Sequence, residues 1–176
     1  MIKRNRKSIR WKGYNYSQSG LYFVSFCTKD RIEHFGDIQS EKMIFNRYGE
    51  IANKYWQEIP NHHNDVEIDE FVIMPNHIHG IVVICEEDVL SGGRDKACLV
   101  PTGSQQIERM HETLCNVIGS YKSVISKTIR KIGLPQFKWQ RSYHDRVIRN
   151  SDELNRIRNY ITNNPIIWHR DRNNPH

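Results

Sequence analysis

The chain is 176 residues long, with a formal net charge of +6, 38% hydrophobic residues and four cysteines; its mean hydropathy is −0.71. That length suits one globular domain with small appendages, and the longest apolar runs, such as residues 81–85, are far too short to span a bilayer. The charged opening, residues 1–7, has no apolar stretch behind it and does not read as a signal peptide. Cys27, Cys85, Cys98 and Cys115 have no zinc-ribbon spacing and read as reduced thiols of a cytosolic protein.

Residues 1–19 read as a basic, polar arm, in which Lys3, Arg4, Arg6, Lys7, Arg10 and Lys12 meet no acid through position 12. Residues 21–28 predict a strand, rich in aromatic and β-branched side chains and bounded by Gly20. Residues 29–45 predict a hairpin, with Gly36-Asp37 as its turn and residues 42–45 as a short strand. Asn46 is placed to cap a helix over about 47–59, where Ile51, Ala52, Tyr55, Trp56 and Ile59 recur at helical spacing, and Pro60 should end it. Residues 66–74 and 77–85 predict two strands joined by Pro75-Asn76, hence an antiparallel pair.

Residues 86–106 are polar and hold Gly92-Gly93, Pro101 and Gly103, which reads as a loop. A second helix is expected over 107–132, its buried stripe marked by Leu114, Val117, Ile118, Tyr121, Ile125 and Ile129. Gly133-Leu134-Pro135 stops it. Residues 139–149 read as a turn entering a strand. Asn150 then caps a last helix, with Glu153 as capping-box partner and Pro165 as the stop. Residues 169–176 form a polar tail, expected to fray. The order βαββαβ plus a final helix predicts an α+β, ferredoxin-like antiparallel sheet with helices on one face, in one domain over 20–168.

Charge is segregated along the chain. Residues 121–176 carry twelve lysines and arginines against four acids, whereas residues 13–120 carry eight against sixteen. Two basic ends around an acidic middle suggest surfaces for a polyanion, of which nucleic acid is the usual one. A solvated basic face is the plain alternative. Trp11, Tyr14, Tyr16, Trp139 and Tyr143 lie among these charges, and rings of this kind can stack on unpaired bases.

Residues two apart on a strand share a face, so His77 and His79 place two imidazoles side by side on a stiff support. That is half of a divalent-metal site. Ile78 faces the core, and Gly80 leaves room for a close approach. Nine histidines also yield a His-x-His by chance, and strand histidines are often only hydrogen-bonded. On the last helix Leu154, Ile157 and Ile161 form the core stripe, with Tyr160 and Asn164 four apart beside it. Taken by itself, Tyr160 reads as a tyrosine flanking that stripe.

Pro75-Asn76-His77-Ile78-His79-Gly80 resembles the His-hydrophobic-His motif of single-tyrosine transposases. Trp139-Gln140-Arg141-Ser142-Tyr143-His144-Asp145, Ile148-Arg149-Asn150 and Tyr160-Ile161-Thr162-Asn163-Asn164-Pro165 resemble the REP-associated tyrosine transposases, as does the opening from Arg6 to Tyr16. The resemblance spans nearly the whole chain. It implies a ferredoxin-like catalytic domain that cuts and rejoins single-stranded or hairpin DNA through a covalent 5′-phosphotyrosine. By matching position it implies His77 and His79 as metal ligands, Tyr160 as nucleophile, and Asn164 as the polar residue completing a Mg²⁺ or Mn²⁺ site. More distant relatives carry Gln at the position of Asn164. His144 and Asp145 are candidates for extra ligands or for support of that site, or for ordinary strand-end hydrogen bonds.

Resemblance and charge together make Lys3, Arg4, Arg6, Lys7, Arg10, Lys12, Arg141, Tyr143, Arg149, Arg156 and Arg158 the candidate DNA contacts. The implied setting is the bacterial cytoplasm near the nucleoid, with no membrane partner, as monomer or homodimer. Three other readings compete. A domesticated relative would bind hairpin DNA and regulate without turnover. A metal phosphohydrolase would use water as its nucleophile. A rolling-circle initiator shares the histidine motif, but the chain has no room for the larger regions such proteins carry.

Overall fold

The computed structural model describes residues 19–85 and 113–174. The expected basic arm, with Lys3, Arg4, Arg6, Lys7, Arg10 and Lys12, and the expected loop of residues 86–106 lie outside the described residues. The elements are β1 (Gly20–Cys27), β2 (Gly36–Gln39), β3 (Lys42–Phe45), α1 (Arg47–Gln57), α2 (Ile59–His62), β4 (Val66–Ile73), β5 (His77–Ile84), α3 (Thr113–Lys131), β6 (His144–Ile148) and α4 (Ser151–Thr162). Short 3-10 turns occupy Lys29–Arg31 and Trp168–Arg170.

Strands β4, β5, β1 and β6 form one sheet in that order, with every neighbouring pair antiparallel. With α1 and α3 as the connecting helices, this is the expected ferredoxin-like βαββαβ arrangement, and β2–β3 is a separate two-stranded ribbon inserted before α1. Alternation along the central strands divides the apolar residues between the two faces. Tyr22, Val24, Phe26, Ile78, Val82 and Ile84 pack with Ala52 and Trp56 of α1 and the α3 stripe Leu114, Val117, Ile118, Tyr121, Ile125 and Ile129. Ile81 and Ile148 pack on the other face with Leu154, Ile157 and Ile161 of α4. The histidine strand is therefore central, covered on one side by the main core and on the other by α4.

Both predicted caps form. Asn46 Oδ1 accepts from the backbone N–H groups of Tyr48 and Gly49 at 2.8 and 3.1 Å, and Asn150 Oδ1 accepts from Glu153 N–H at 2.8 Å. Glu153 reaches one residue further back than a capping box requires: its carboxylate accepts from Arg149 N–H at 3.0 Å and pairs with Arg146.

Three local expectations need correction. The ribbon turns at Ser40 and Glu41, whose φ values of +49° and +63° are left-handed, as a two-residue hairpin loop demands. Gly36 instead begins β2, because a Cβ there would lie 2.0 Å from the Ile44 carbonyl oxygen. Pro60 does not end the helical run; it lies in the first turn of α2, where its missing N–H costs nothing. Through residue 174 the tail folds back rather than fraying: Asn173 is 7% exposed, and the Arg31 guanidinium donates to the Arg172 carbonyl at 2.6 Å.

Candidate active site

His77 opens β5 and lies opposite Cys27 of β1; His79 lies opposite Ser25. Both point to the face covered by α4. They are buried, at 0% and 3% exposure, with ring centroids 4.5 Å apart. Phe23 of β1 stacks on His79 at 5.5 Å, and Trp168 lies against His77 at 5.8 Å. Two apolar rings thus wall the histidines from water.

The last turns of α4 bring Tyr160 to this pair. Its hydroxyl lies 3.2 Å from His79 Nε2, and the residue remains 41% exposed. Asn164, just past the helix, is fully buried beside His77 and Tyr160. Its amide makes no hydrogen bond of good geometry, yet it favours the charged form of both neighbours.

Burial dominates the electrostatics. It pushes the His77 pKa down to about 3, against a smaller upward pull from Asn164. It holds His79 well below the usual imidazole range, with His77 adding to the effect. Both rings are neutral near pH 7, which is the form that ligates metals. Burial also raises the Tyr160 pKa, assisted by the Asp171 carboxylate and opposed by Asn164.

Asp171 is the residue that sequence reasoning missed. The 3-10 turn Trp168–Arg170 carries it back under the histidines. Its Oδ1 accepts from Asn173 N–H at 2.6 Å, and its Oδ2 lies 3.8 Å from His77 Nε2. With His77 neutral, that approach is neither an ion pair nor a hydrogen bond. His77, His79 and Asp171 each offer one ligand atom, all within 4.8 Å of one another. His77 Nε2, His79 Nδ1 and both ends of the Asn164 amide are buried without hydrogen-bond partners. Each such orphan costs about 1–3 kcal/mol, and a set of nitrogen and oxygen donors of this kind fits a divalent cation. No motif marks Asp171; a lone acid in a polar tail carries no periodic signal.

The remaining candidates spread out. His144 lies across Ser25 from His79, on the same sheet face, but is exposed and outside the cluster of ligand atoms. Asp145 lies opposite Val24 and so faces the other side. Arg158 is tied to Asp69 of β4 by Nε at 3.1 Å to both carboxylate oxygens. Arg156 and Arg141 are exposed, and Arg149 is exposed at the entry to α4. Tyr143 packs on the main core with its hydroxyl 3.4 Å from Cys115 Sγ. Trp139 packs between Phe26 and Phe137, at 5.2 and 5.1 Å, and its Nε1 donates to the Lys122 carbonyl. These two rings serve the core.

No protein-family model matches the chain. The architecture is similar to a solved REP-associated tyrosine transposase bound to a REP hairpin, at TM-score 0.58 and 16% identity, covering 90% of this chain and 73% of that one. A transposase candidate from Deinococcus radiodurans is a weaker likeness, at TM-score 0.48 and 14% identity over 88% and 95% of the two chains. The fold is that of a REP-associated tyrosine transposase. An uncharacterized protein from Haemophilus influenzae is 36% identical over 168 residues, 95% of this chain and 92% of its own length, and the chain belongs to one family with it.

Proposed function

We propose that the protein cuts and rejoins single-stranded DNA at hairpin, REP-type sequences, with Tyr160 as nucleophile. The observation that carries this reading is the Tyr160 hydroxyl at 3.2 Å from His79 Nε2, at the rim of a buried cluster of metal-ligand groups. His77 and His79, with Asp171 and Asn164 as the oxygen donors, would hold Mg²⁺ or Mn²⁺. When bound, such an ion supplies Lewis-acid and templating chemistry at a phosphate oxygen.

The chain's own residues do the rest. Phe23 and Trp168 exclude water from the imidazoles, while Tyr160 keeps an exposed side on which a phosphodiester can approach. The bond from Tyr160 Oη to phosphorus forms as the bond from phosphorus to the 3′-oxygen breaks. The phenolic proton ends on the freed 3′-hydroxyl, so no further reactant is consumed. The Asn164 amide favours the phenolate that develops during attack. Energy stays in the 5′-phosphotyrosine, and return attack by a 3′-hydroxyl rejoins strands. Tyrosine and histidines come from one chain, which supports a site complete in a monomer. Residues 1–19 serve as a basic arm on the DNA backbone, and residues 20–168 as the catalytic unit, to which the folded tail adds Asp171. The place of action is the cytoplasm, on nucleoid DNA; no helix among the described residues is long and apolar enough to cross a membrane.

Labelled hairpin DNA with Mn²⁺, run on a denaturing gel, tests the reading. Wild type should give a shifted, protease-sensitive band that Tyr160→Phe and His77→Ala/His79→Ala lose. Cleavage surviving in Tyr160→Phe would point to water or another nucleophile. Tight binding without cleavage would point to a regulatory binder.

A further inference from the structure

Asn76, the residue before the histidine strand, is fully buried and fully engaged. Its side-chain nitrogen donates to the Arg31 carbonyl at 2.9 Å and to the Asn173 carbonyl at 2.8 Å. Its own carbonyl accepts from the Thr28 backbone N–H at 2.8 Å. Backbone carbonyls only accept, so the NH₂ end of the amide must face Arg31 and Asn173. The oxygen end is then left facing His77 Nδ1 at 2.9 Å. An amide oxygen also only accepts, so His77 Nδ1 must carry the hydrogen. In a neutral imidazole the lone pair is then on Nε2, the atom 3.8 Å from Asp171 Oδ2.

We propose that Asn76 is a positioning residue: two main-chain carbonyls orient its amide, and the amide holds His77 in the Nδ1–H tautomer with the Nε2 lone pair aimed at the candidate metal site. The alternative tautomer has an evident attraction, since Nε2–H could donate to Asp171. That donation would place a hydrogen where a cation must bind. Asn76 decides the competition because its contact is of hydrogen-bonding length and the Asp171 contact is not. The inference extends the proposed function by naming what sets the ligand form of His77. Outer partners of this kind set ring orientation and basicity. One of the two orienting carbonyls belongs to Asn173, so the folded tail contributes to the tautomer as well as supplying Asp171.

Long-range ¹H–¹⁵N correlation NMR of the metal-free wild-type protein at pH 7.5 reads the tautomer directly, with the His77 signals assigned by their loss in His77→Gln. The expected result is a pyrrole-type Nδ1 and a pyridine-type Nε2; the reverse pattern would overturn the proposal. That reading needs no Asn76 variant, so it stands whether or not one folds. In folded Asn76→Ala the ring should shift toward Nε2–H, and Mn²⁺ affinity by calorimetry should fall roughly 10–100-fold. Retention of Nδ1–H in that variant would equally sink the assignment. If the tautomer is as expected but wild type binds no Mn²⁺, the metal reading of the site fails while the role of Asn76 in setting the ring stands.

Discussion

At the residue scale the site is defined by polar atoms placed where protein partners do not satisfy them. His77 and His79 stay neutral because burial disfavours their charged forms, and this makes stability depend on pH. Their folded pKa values lie below the ordinary imidazole value. Below about pH 6.5 the unfolded chain therefore takes up protons that the fold refuses, and stability falls with falling pH, by up to about 1.4 kcal/mol per pH unit for each histidine. Urea unfolding of metal-free protein between pH 7.5 and 5 should show the decline, and His77→Gln/His79→Gln should flatten it. An equal slope in that variant would assign the pH dependence to other groups. Asp171 belongs to the same scale. Asp171→Asn should lower Mn²⁺ affinity at least about tenfold while leaving the melting temperature of the metal-free protein nearly unchanged. An unchanged affinity would leave Asn164 as the sole oxygen donor.

Elements place these residues, and their accuracy comes from a few close approaches. Gly80 is the clearest. The sequence shows a residue with no side chain after His79; the structure shows what fills the space. A Cβ there would lie 2.3 Å from Trp56 Cζ2 of α1, a ring that is itself fully buried. Gly80→Ala should destabilise by about 1–3 kcal/mol through overpacking, read from chemical denaturation. A stability equal to wild type would mean the Trp56 ring shifts freely. The caps of α1 and α4 were legible from Asn46 and Asn150, because a cap is an interaction between residues two or three apart. The Ser40-Glu41 turn was not, since neither residue type favours left-handed backbone and the ribbon's strand pairing imposes it. Arg158, a candidate for DNA, is held by Asp69, 89 residues away in sequence, a partner that no local pattern could reveal.

For the whole molecule, the segregated charge makes a prediction about DNA. If the arm neutralises phosphates, deleting residues 1–12 should reduce the slope of log affinity against log salt by about 0.9 for each duplex phosphate that the arm neutralises. Titrations of hairpin DNA at several salt concentrations measure this, and an unchanged slope removes the arm from the DNA footprint. The ferredoxin-like class and the apolar side of each element were legible at this scale, because strand alternation and helix periodicity state which side of each element is apolar, whereas the strand order and the second covered face came from the structure. The packing of Trp139 and Tyr143 was not legible either. An aromatic ring among charges is compatible with both a stacking platform and a core, and only their neighbours Phe26, Phe137 and Cys115 decide for the core.

The sequence by itself determined the element order, the ferredoxin-like class and both helix caps, and marked His77, His79, Tyr160 and Asn164 as candidates. Each of these is written in spacings within one element or in a motif string. Tertiary structure alone decided that α4 lies on the face opposite α1 and α3, that Tyr160 reaches His79, and that Asp171 and Asn76 complete the surroundings of His77. Those interactions join residues far apart in sequence, and their free energy comes from burial and hydrogen-bond satisfaction that exist only once the sheet, α4 and the tail have closed over the two imidazoles.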